Sequence, residues 1–391
     1  MDNSPSDQGT HFWDIAPHIV LSPLLLLAYY PPPFRHRGLL VLLIVSFAAW
    51  RATISPWPPN EGPTQAQRYG LSSAWIHYFP VIERLLLHTP ERDFFQVNSK
   101  NKAHPPAPPA EYSFEKIRWA TEFFASPRGV GWNIGGKKFS HPAATNEGQA
   151  VSVTRRAGVV FGCYIAWDAV MFALRRIEVP TGWERDASTL RNIAWLEVLM
   201  GVTVFASMTM QYEMAATVAI LLCISEPKDW PPLFGSIADC FTVGNVWGKF
   251  WHQYLRQPCL GFSHALIRLL RVPRLSKAAY FIHLAVAFLF SALFHTLSLA
   301  AVRPAWVPLG ELVKDMGTFF LIQALAIVLE TLALTYFRIT SWRMRSMGYV
   351  WVGCWFYATG WWLVKAYLEV GMAGWQPPFE LIRWLVQSVT D

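Results

Sequence analysis

The sequence predicts an all-α, polytopic integral membrane protein. Of its 391 residues, 53% are hydrophobic and 15% are charged, whereas soluble globular chains usually carry about 25% charged residues. The apolar residues are also gathered into runs that approach the roughly 20 residues an α-helix needs to cross the hydrocarbon core. Both observations indicate a bundle of membrane-spanning helices.

Runs of nearly this length occur along most of the chain. They predict about seven to nine spans, and the count depends on residues 193–224, which either bend or cross twice. Residues 71–87 are a weaker, amphipathic candidate. The other candidates are residues 18–30, 39–54, 157–174, 193–208, 213–224, 278–302, 314–337 and 347–372.

The stretch at residues 55–156 differs in kind from these runs. It is rich in charge and in proline, with PWPPN and HPPAPPA within it, and proline-rich chains favour extended conformations. No internal repeat is evident. We therefore expect a single membrane domain over residues 1–391, with residues 55–156 as a proline-rich extramembrane or membrane-surface insertion.

The net charge of +7 is attributed to membrane topology, because no basic block or nucleic-acid module accompanies it, and no nucleic-acid partner is expected. Residues 256–277 and 338–346 contain basic residues and no acidic residue, whereas residues 303–313 between them contain one basic and one acidic residue. Basic loops accumulate on the cytosolic side of a membrane. Both basic loops, and residues 245–257 beside the first, are therefore expected to face the cytosol.

The N-terminus has no basic region before its first apolar stretch, so no cleaved signal peptide is expected. The five cysteines are scattered and form no CxxC pair, which favours reduced packing residues over disulfides or a metal site. No metal and no tightly bound cofactor are expected.

A polar and aromatic segment, NVWGKFWHQYLRQ at residues 245–257, lies between two long apolar regions. Aromatic and basic side chains often mark a membrane–water boundary. That role leaves Asn245 and His252 unexplained. It does account for Trp247, Lys249, Trp251 and Arg256.

A second polar cluster lies inside the apolar run 278–302. Ser291, His295 and Ser298 are spaced i, i+4 and i+7 and so share one helix face. Because unsatisfied polar groups are costly in hydrocarbon, this face should look into the protein or a cavity. His295 is either a packing residue or a neutral general base for an alcohol. His283 lies off that face and is interpreted as structural.

The two clusters together are compatible with acyl transfer. A buried imidazole can deprotonate a hydroxyl that then attacks an activated thioester. The basic and aromatic boundary segment can hold the anionic carrier of that thioester, through Lys249 or Arg256.

Three sequence segments resemble a known family. FTVGNVWGKFWHQYLRQ followed by SALFHTLSL is similar to the wax synthase-like branch of the membrane-bound O-acyltransferase superfamily, and more narrowly to its fungal secondary-metabolite O-acetyltransferases. The family motif (S/N)-x-W-G-(R/K)-x-W-(H/N)-Q matches residues 245–253. The family's membrane-helix histidine matches His295. SPRGVGWN at residues 126–133 is similar to an Arg-Gly-Ile-Gly-(Trp/Thr) signature of the fungal proteins.

The resemblance implies catalytic roles for His295, as the general base, and for His252, at a position that is often Asn in other branches. Asn245 stands where Ser is more usual. Arg128 either contacts the acyl carrier or orders its own loop. The residues implied in binding acyl-CoA or substrate are Asn245, Trp247, Lys249, Trp251, Gln253, Arg256, Ser291 and Arg128.

The resemblance further implies a membrane-bound O-acetyltransferase of the endoplasmic reticulum. Its co-substrate would be acetyl-CoA, and its acceptor a hydroxyl on a lipophilic metabolite of terpenoid or meroterpenoid type, reached from the lipid bilayer. One alternative is a long-chain acyl-CoA:alcohol acyltransferase that makes wax or steryl esters.

A non-enzymatic membrane transporter is the other alternative, since intramembrane acids can form an ion path. The acids in question lie in different apolar runs without matched spacing, and no pair of interrupted helices suggests an inverted repeat. A structural polar contact is therefore favoured for each of Asp168, Glu197, Glu213 and Glu330.

Overall fold

The computed structural model describes residues 10–54, 72–97, 107–134, 147–179, 187–337, 342–374 and 377–390. No strand forms among these residues, and Gln96 and Trp132 make an isolated β-bridge. The all-α class is confirmed. The longer helices are α1 (Thr10–Leu27), α2 (Arg37–Ile54), α3 (Trp75–Leu87), α4 (Phe114–Phe124), α5 (Gln149–Leu174), α6 (Ala187–Leu221), α7 (Arg256–Leu269), α8 (Lys277–Ala300), α9 (Leu309–Phe337), α10 (Trp342–Glu369) and α11 (Leu381–Thr390).

Five helices of the described part of the chain are long and apolar enough to cross a membrane, so the predicted count of seven to nine is not confirmed. The candidates at 193–208 and 213–224 lie in one continuous helix, α6. Helices α1 and α10 cover the candidates at 18–30 and 347–372 and are not among the five. The five are Arg37–Ile54, Gln149–Leu174, Ser188–Leu221, Lys277–Ala300 and Leu309–Ala333.

Helix α3 is a core helix and corresponds to the weak candidate at 71–87. Its 13 residues span only about 20 Å at 1.5 Å per residue, which is too short for a crossing. It is buried nearly all round, with Trp75, Tyr78, Ile82 and Arg84 among its buried residues.

The chain divides into two compact units. Unit 1 comprises Met1–Pro142 and Gln253–Val328, and unit 2 comprises Ala143–His252 and Leu329–Asp391. Each unit is described by itself. The single membrane domain expected over the whole chain stays a prediction.

Residues 72–97 and 107–134, within the 55–156 region, supply much of the core of unit 1. The Tyr29, Trp75 and Phe123 side chains are fully buried. Arg84 is buried with them, where its Nη1 and Nη2 atoms donate to the Phe123 and Ser126 carbonyls, each at 2.8 Å. The guanidinium also lies 4.0 Å from the centroid of the Phe123 ring. Helices α3 and α4 of this region are therefore packed onto helices α1 and α2, whereas placement of the region at the membrane surface stays a prediction. PWPPN and the first half of HPPAPPA lie outside the described residues.

A buried ion cluster joins the same region to helix α2. The Glu91 carboxylate accepts hydrogen bonds from Arg37 at 2.6 and 2.8 Å and from Lys116 Nζ at 2.9 Å. All three side chains are buried. Burial raises the pKa of Glu91, but the hydrogen bonds and charges of Arg37 and Lys116 outweigh it, so that its pKa lies below the ordinary value. Glu91 is therefore ionised at neutral pH and balances two buried cations.

Glu91→Ala is expected to lower the free energy of unfolding by about 3–5 kcal/mol, since it leaves Arg37 and Lys116 buried without their carboxylate. The measurement is denaturant unfolding of the detergent-solubilised chain. Because the pKa of Glu91 is depressed in the folded state, its contribution to the free energy of unfolding should be present at neutral pH. That contribution should be lost as the pH falls through the lowered pKa. Glu122→Ala, which removes an exposed partner of Arg118, should cost under about 1 kcal/mol. Equal losses in the two variants would contradict the role of the cluster.

In unit 2, two of the acids predicted to make structural contacts join helix α5 to its neighbours, Glu213 from α6 and Asp168 toward α11. Glu213 pairs with Arg156, which also donates to the Trp230 carbonyl at 3.0 Å. Asp168 Oδ2 accepts the backbone N–H of Ile382 at 2.8 Å, at the start of α11. The structural contacts favoured for Asp168 and Glu213 are thus present. The contact favoured for Glu197 is not, since among the described residues its Oε1 atom is buried without a hydrogen-bond partner.

Candidate functional site

The segment that carries the family motif has an unusual backbone. Thr242 caps it, since its Oγ1 accepts the N–H of Asn245 at 2.9 Å. A short α-turn, Val243–Asn245, leads into a π-helical turn, Val246–Phe250. The Trp251 N–H donates to the Val246 carbonyl at 2.7 Å. π-turns are rare and are often found at functional sites, because they place side chains off the regular helical spacing.

Glu330, a lone acid in the apolar sequence AIVLETLAL, holds the start of this segment. Its carboxylate accepts the backbone N–H groups of Val243 at 2.6 Å and Gly244 at 2.9 Å, and the indole N–H of Trp351 at 2.7 Å. The first N–H groups of a helix have no internal acceptor, and a negative charge is favourable beside them. The structural contact favoured for Glu330 is therefore a cap on the motif.

Two glycines let neighbouring backbone approach the motif closely. A Cβ on Gly235 would lie 2.2 Å from the Lys249 carbonyl oxygen, and the Gly235 N–H donates to the Phe250 carbonyl at 2.7 Å. A Cβ on Gly348 would lie 2.2 Å from the Phe241 carbonyl oxygen. Neither glycine could be identified from the sequence, because the close approach depends on segments that are separated along the chain.

The motif side chains form an aromatic cluster around His252. Its imidazole lies 5.3 Å from the Trp251 ring and 6.3 Å from the Phe234 ring, centroid to centroid. Trp247 packs against Trp251 at 5.9 Å between centroids, and their role as walls of a binding site stays a prediction. Lys249 is exposed, whereas Asn245 and His252 are half-buried.

His295 lies on helix α8 in unit 1, half-buried between aromatic rings. Its imidazole stacks on Phe320 of helix α9, with 4.9 Å between centroids and 16° between planes, and Phe294 meets it edge-on at 4.9 Å. Ser298 is fully buried, and its Oγ donates to the Ser72 carbonyl at 3.4 Å. Ser291 Oγ donates to the Ala287 carbonyl of its own helix at 2.9 Å. Both His295 and Ser298 thus contact the protein interior, as predicted for this face.

Two polar residues that the sequence analysis did not single out lie on helix α9 near Phe320. Asp315 and Gln323 are both fully buried. With Phe319 they recur every four residues, which places all three on one side of α9. An acid and an amide eight residues apart in an apolar run were the sequence feature that could have identified Asp315 and Gln323 as buried polar residues. The turn that bears the ring stacked on His295 is therefore flanked by buried polar groups.

Arg128 lies in the loop SPRGVGWN, also in unit 1. The loop turns through Gly129 and Gly131, at φ 67° and 75°, a left-handed conformation that favours glycine. The Arg128 side chain is buried, with its guanidinium carbon 5.9 Å from the Tyr254 ring centroid. That burial agrees with a loop-ordering role, and contact with an acyl carrier stays a prediction.

The structure places the candidate residues in both units. The motif residues from Asn245 to His252 lie together in unit 2. Among the residues that the structure describes, no group of three or more His, Cys, Asp or Glu could hold a metal ion. The candidate site residues in unit 1 are Arg128, half-buried Gln253, exposed Arg256, Ser291 and His295.

Residues 230–321 match the sequence model of the membrane bound O-acyl transferase family. The predicted family resemblance is confirmed. The chain is 28% identical over 252 residues to the acetyltransferase ple2 of Rhodocybe pseudopiperita, which covers 62% of this chain and 64% of that protein. It is 25% identical over 258 residues to the acetyltransferase eriL of Hericium erinaceus, and that alignment covers 63% of this chain and 65% of eriL. The matched region is thus slightly under two thirds of either relative.

A longer alignment is made with the acetyltransferase sirH of Emericella nidulans, 24% identical over 361 residues, or 86% of this chain and 80% of that protein. No solved structure matches the chain. All three of these relatives carry the name acetyltransferase.

Proposed function

We propose that the chain is a membrane-bound O-acetyltransferase that moves the acetyl group of acetyl-CoA to a hydroxyl of a lipophilic secondary metabolite of terpenoid or meroterpenoid type. The observation that carries the proposal is the family match at residues 230–321, because it encloses both the 245–253 motif and His295. The acetyltransferase names of the relatives support acetyl-CoA as the donor.

His295 is the proposed general base. Its neutral imidazole accepts the proton of the acceptor hydroxyl while the oxygen attacks the thioester carbonyl. The tetrahedral intermediate then expels the CoA thiolate, which takes the proton from the imidazolium, so the products are the acetate ester and free CoA. The ring of Phe320, stacked on the imidazole, fixes the plane from which the base acts.

The motif is the proposed site for the acetyl-CoA carrier. Exposed Lys249 and Arg256 offer positive charge for its phosphates, and Trp247 and Trp251 offer aromatic walls. His252 is the proposed hydrogen-bond donor to the oxyanion, since a donor aimed at the developing charge stabilises the transition state. Glu330 and Gly235 support this role, because they hold the motif backbone in one conformation.

Acetyl-CoA is charged and cytosolic, so the mechanism requires the motif to be open to the cytosol, and we place the protein in the endoplasmic reticulum membrane in that orientation. The basic residues of 256–277 and 338–346 support it. In the structure, the first part of the 256–277 segment is helix α7 and not a loop.

The proposal predicts acetyl transfer by microsomes that contain the full chain. They should move label from acetyl-CoA to at least one member of a panel of terpenoid alcohols, and microsomes of the same host without the chain should not. A parallel arm with labelled palmitoyl-CoA tests the long-chain alternative. Transfer from palmitoyl-CoA alone, or from neither donor to any acceptor, would contradict the proposal.

A further inference from the structure

The connection between helices α7 and α8 is a short, well-defined hairpin, residues 268–277, here called the basic hairpin. The Val272 N–H donates to the Ile267 carbonyl at 3.0 Å, and the Arg271 N–H to the Arg268 carbonyl at 3.1 Å. Arg271 adopts φ 55°, the left-handed conformation that often ends a helix. Ser276 caps α8, accepting the Ala279 N–H at 3.1 Å. The backbone is thus fixed at both ends.

The basic hairpin exposes large apolar side chains. Leu269 is 78% exposed, Leu270 56% and Leu275 103%, an arrangement that is unfavourable in water. Helix α8, which starts at Lys277, is one of the candidate membrane spans. Leu275 therefore lies two residues before the start of an apolar helix, and Leu269 and Leu270 lie on the other arm of the same hairpin.

The same hairpin carries a concentration of positive charge. Four exposed cations, Arg268, Arg271, Arg274 and Lys277, alternate with the leucines, and residues 256–277 contain no acid. Burial lowers the pKa of the neighbouring His264, and the positive charges of His283, Arg268 and Arg274 lower it further. The cations thus gather beside the end of α7.

We propose that the basic hairpin binds a lipid surface that carries anionic headgroups. Its leucines enter the acyl boundary while its arginines and lysine contact the headgroup phosphates, since long basic side chains reach the interface from apolar surroundings. A soluble phosphate or the CoA moiety would satisfy the cations but would leave the leucines in water. The combination of both features selects a bilayer, and the excess charge selects its anionic lipids.

The test is lipid binding by the purified full chain in neutral detergent, with bound phosphatidylserine and phosphatidylcholine counted by native mass spectrometry. The chain is expected to prefer phosphatidylserine. The triple variant R268Q/R271Q/R274Q should lose roughly tenfold or more of that affinity and leave phosphatidylcholine binding unchanged. R118Q/R155Q/R383Q is the matched control, because it removes the same charge from exposed arginines that already pair with acids.

Unchanged phosphatidylserine binding in the hairpin variant, or an equal loss in the control, would overturn the proposal. So would weaker equilibrium binding of acetyl-CoA with lipid binding intact, since the cations would then serve the carrier. The Leu269→Ser and Leu275→Ser pair keeps every charge and should weaken the binding of both lipids. Because none of these readouts depends on turnover, failure of the proposed acetyl transfer would not affect them.

Discussion

Replacing His295 with alanine is expected to lower acetyl transfer by about 10²–10⁴-fold, the loss typical of removing a proton acceptor. Insertion into the membrane and equilibrium binding of acetyl-CoA should be retained, because the proposed carrier site lies at residues 245–256. The measurements are turnover with saturating acetyl-CoA and binding of acetyl-CoA to the purified variant. The two together separate loss of the base from loss of the donor site.

Two further variants make this experiment specific. His264→Ala removes an exposed imidazole from helix α7 in the same unit and should leave turnover unchanged. Phe320→Leu keeps the imidazole but removes the ring stacked on it, so an intermediate loss is expected if the ring orients the base. Wild-type turnover in His295→Ala would reassign His295 to packing, the alternative that the sequence left open.

The helices were predicted better than the number of crossings. Apolar runs predicted both ends of α8 to within two residues and the C-terminal end of α9, whose start was placed five residues late, because a membrane helix must be apolar over its whole length. The same reasoning divided α6 into two runs at residues 209–212 and left open whether the chain bends or crosses twice there. The helix continues through them because Glu213 has a buried partner in Arg156, and hydropathy does not record such pairing.

In the candidate site too, some features could be predicted from the sequence and others depend on three-dimensional contacts. The motif spacing and the family resemblance together select residues 245–253 and His295 from the sequence, and the roles of these residues stay predictions. The acceptor role of Glu330 and the close approach at Gly235 depend on which backbone groups meet in three dimensions. A carboxylate in an apolar run was visible in the sequence, but its partners at Val243 and Gly244 were not.

Glu330→Gln is expected to lower kcat/KM by up to about 10²-fold, because small displacements of a binding segment have effects of this size. A carboxylate accepts all three hydrogen bonds, from Val243, Gly244 and Trp351. An amide turns one of its two groups into a donor, which faces a backbone N–H. The loss should fall mainly on the KM for acetyl-CoA, since Glu330 holds the segment that is assigned to the carrier, and the KM for the alcohol should change little.

Asp168→Asn is the matched control for Glu330→Gln. Asp168 also accepts a backbone N–H, that of Ile382, in the same unit but at the start of α11 and away from the motif. It should change kcat and both KM values by less than about threefold, while lowering thermal stability to a similar degree, since each variant weakens a charge-assisted hydrogen bond worth about 1.5–3 kcal/mol. Trp351→Phe removes one of the three donors to Glu330. Its effect on the KM for acetyl-CoA should lie between the effects of Asp168→Asn and Glu330→Gln. If Asp168→Asn raised the KM for acetyl-CoA as much as Glu330→Gln, the effect would follow from stability alone, and Glu330 would lose its assignment as a positioning residue.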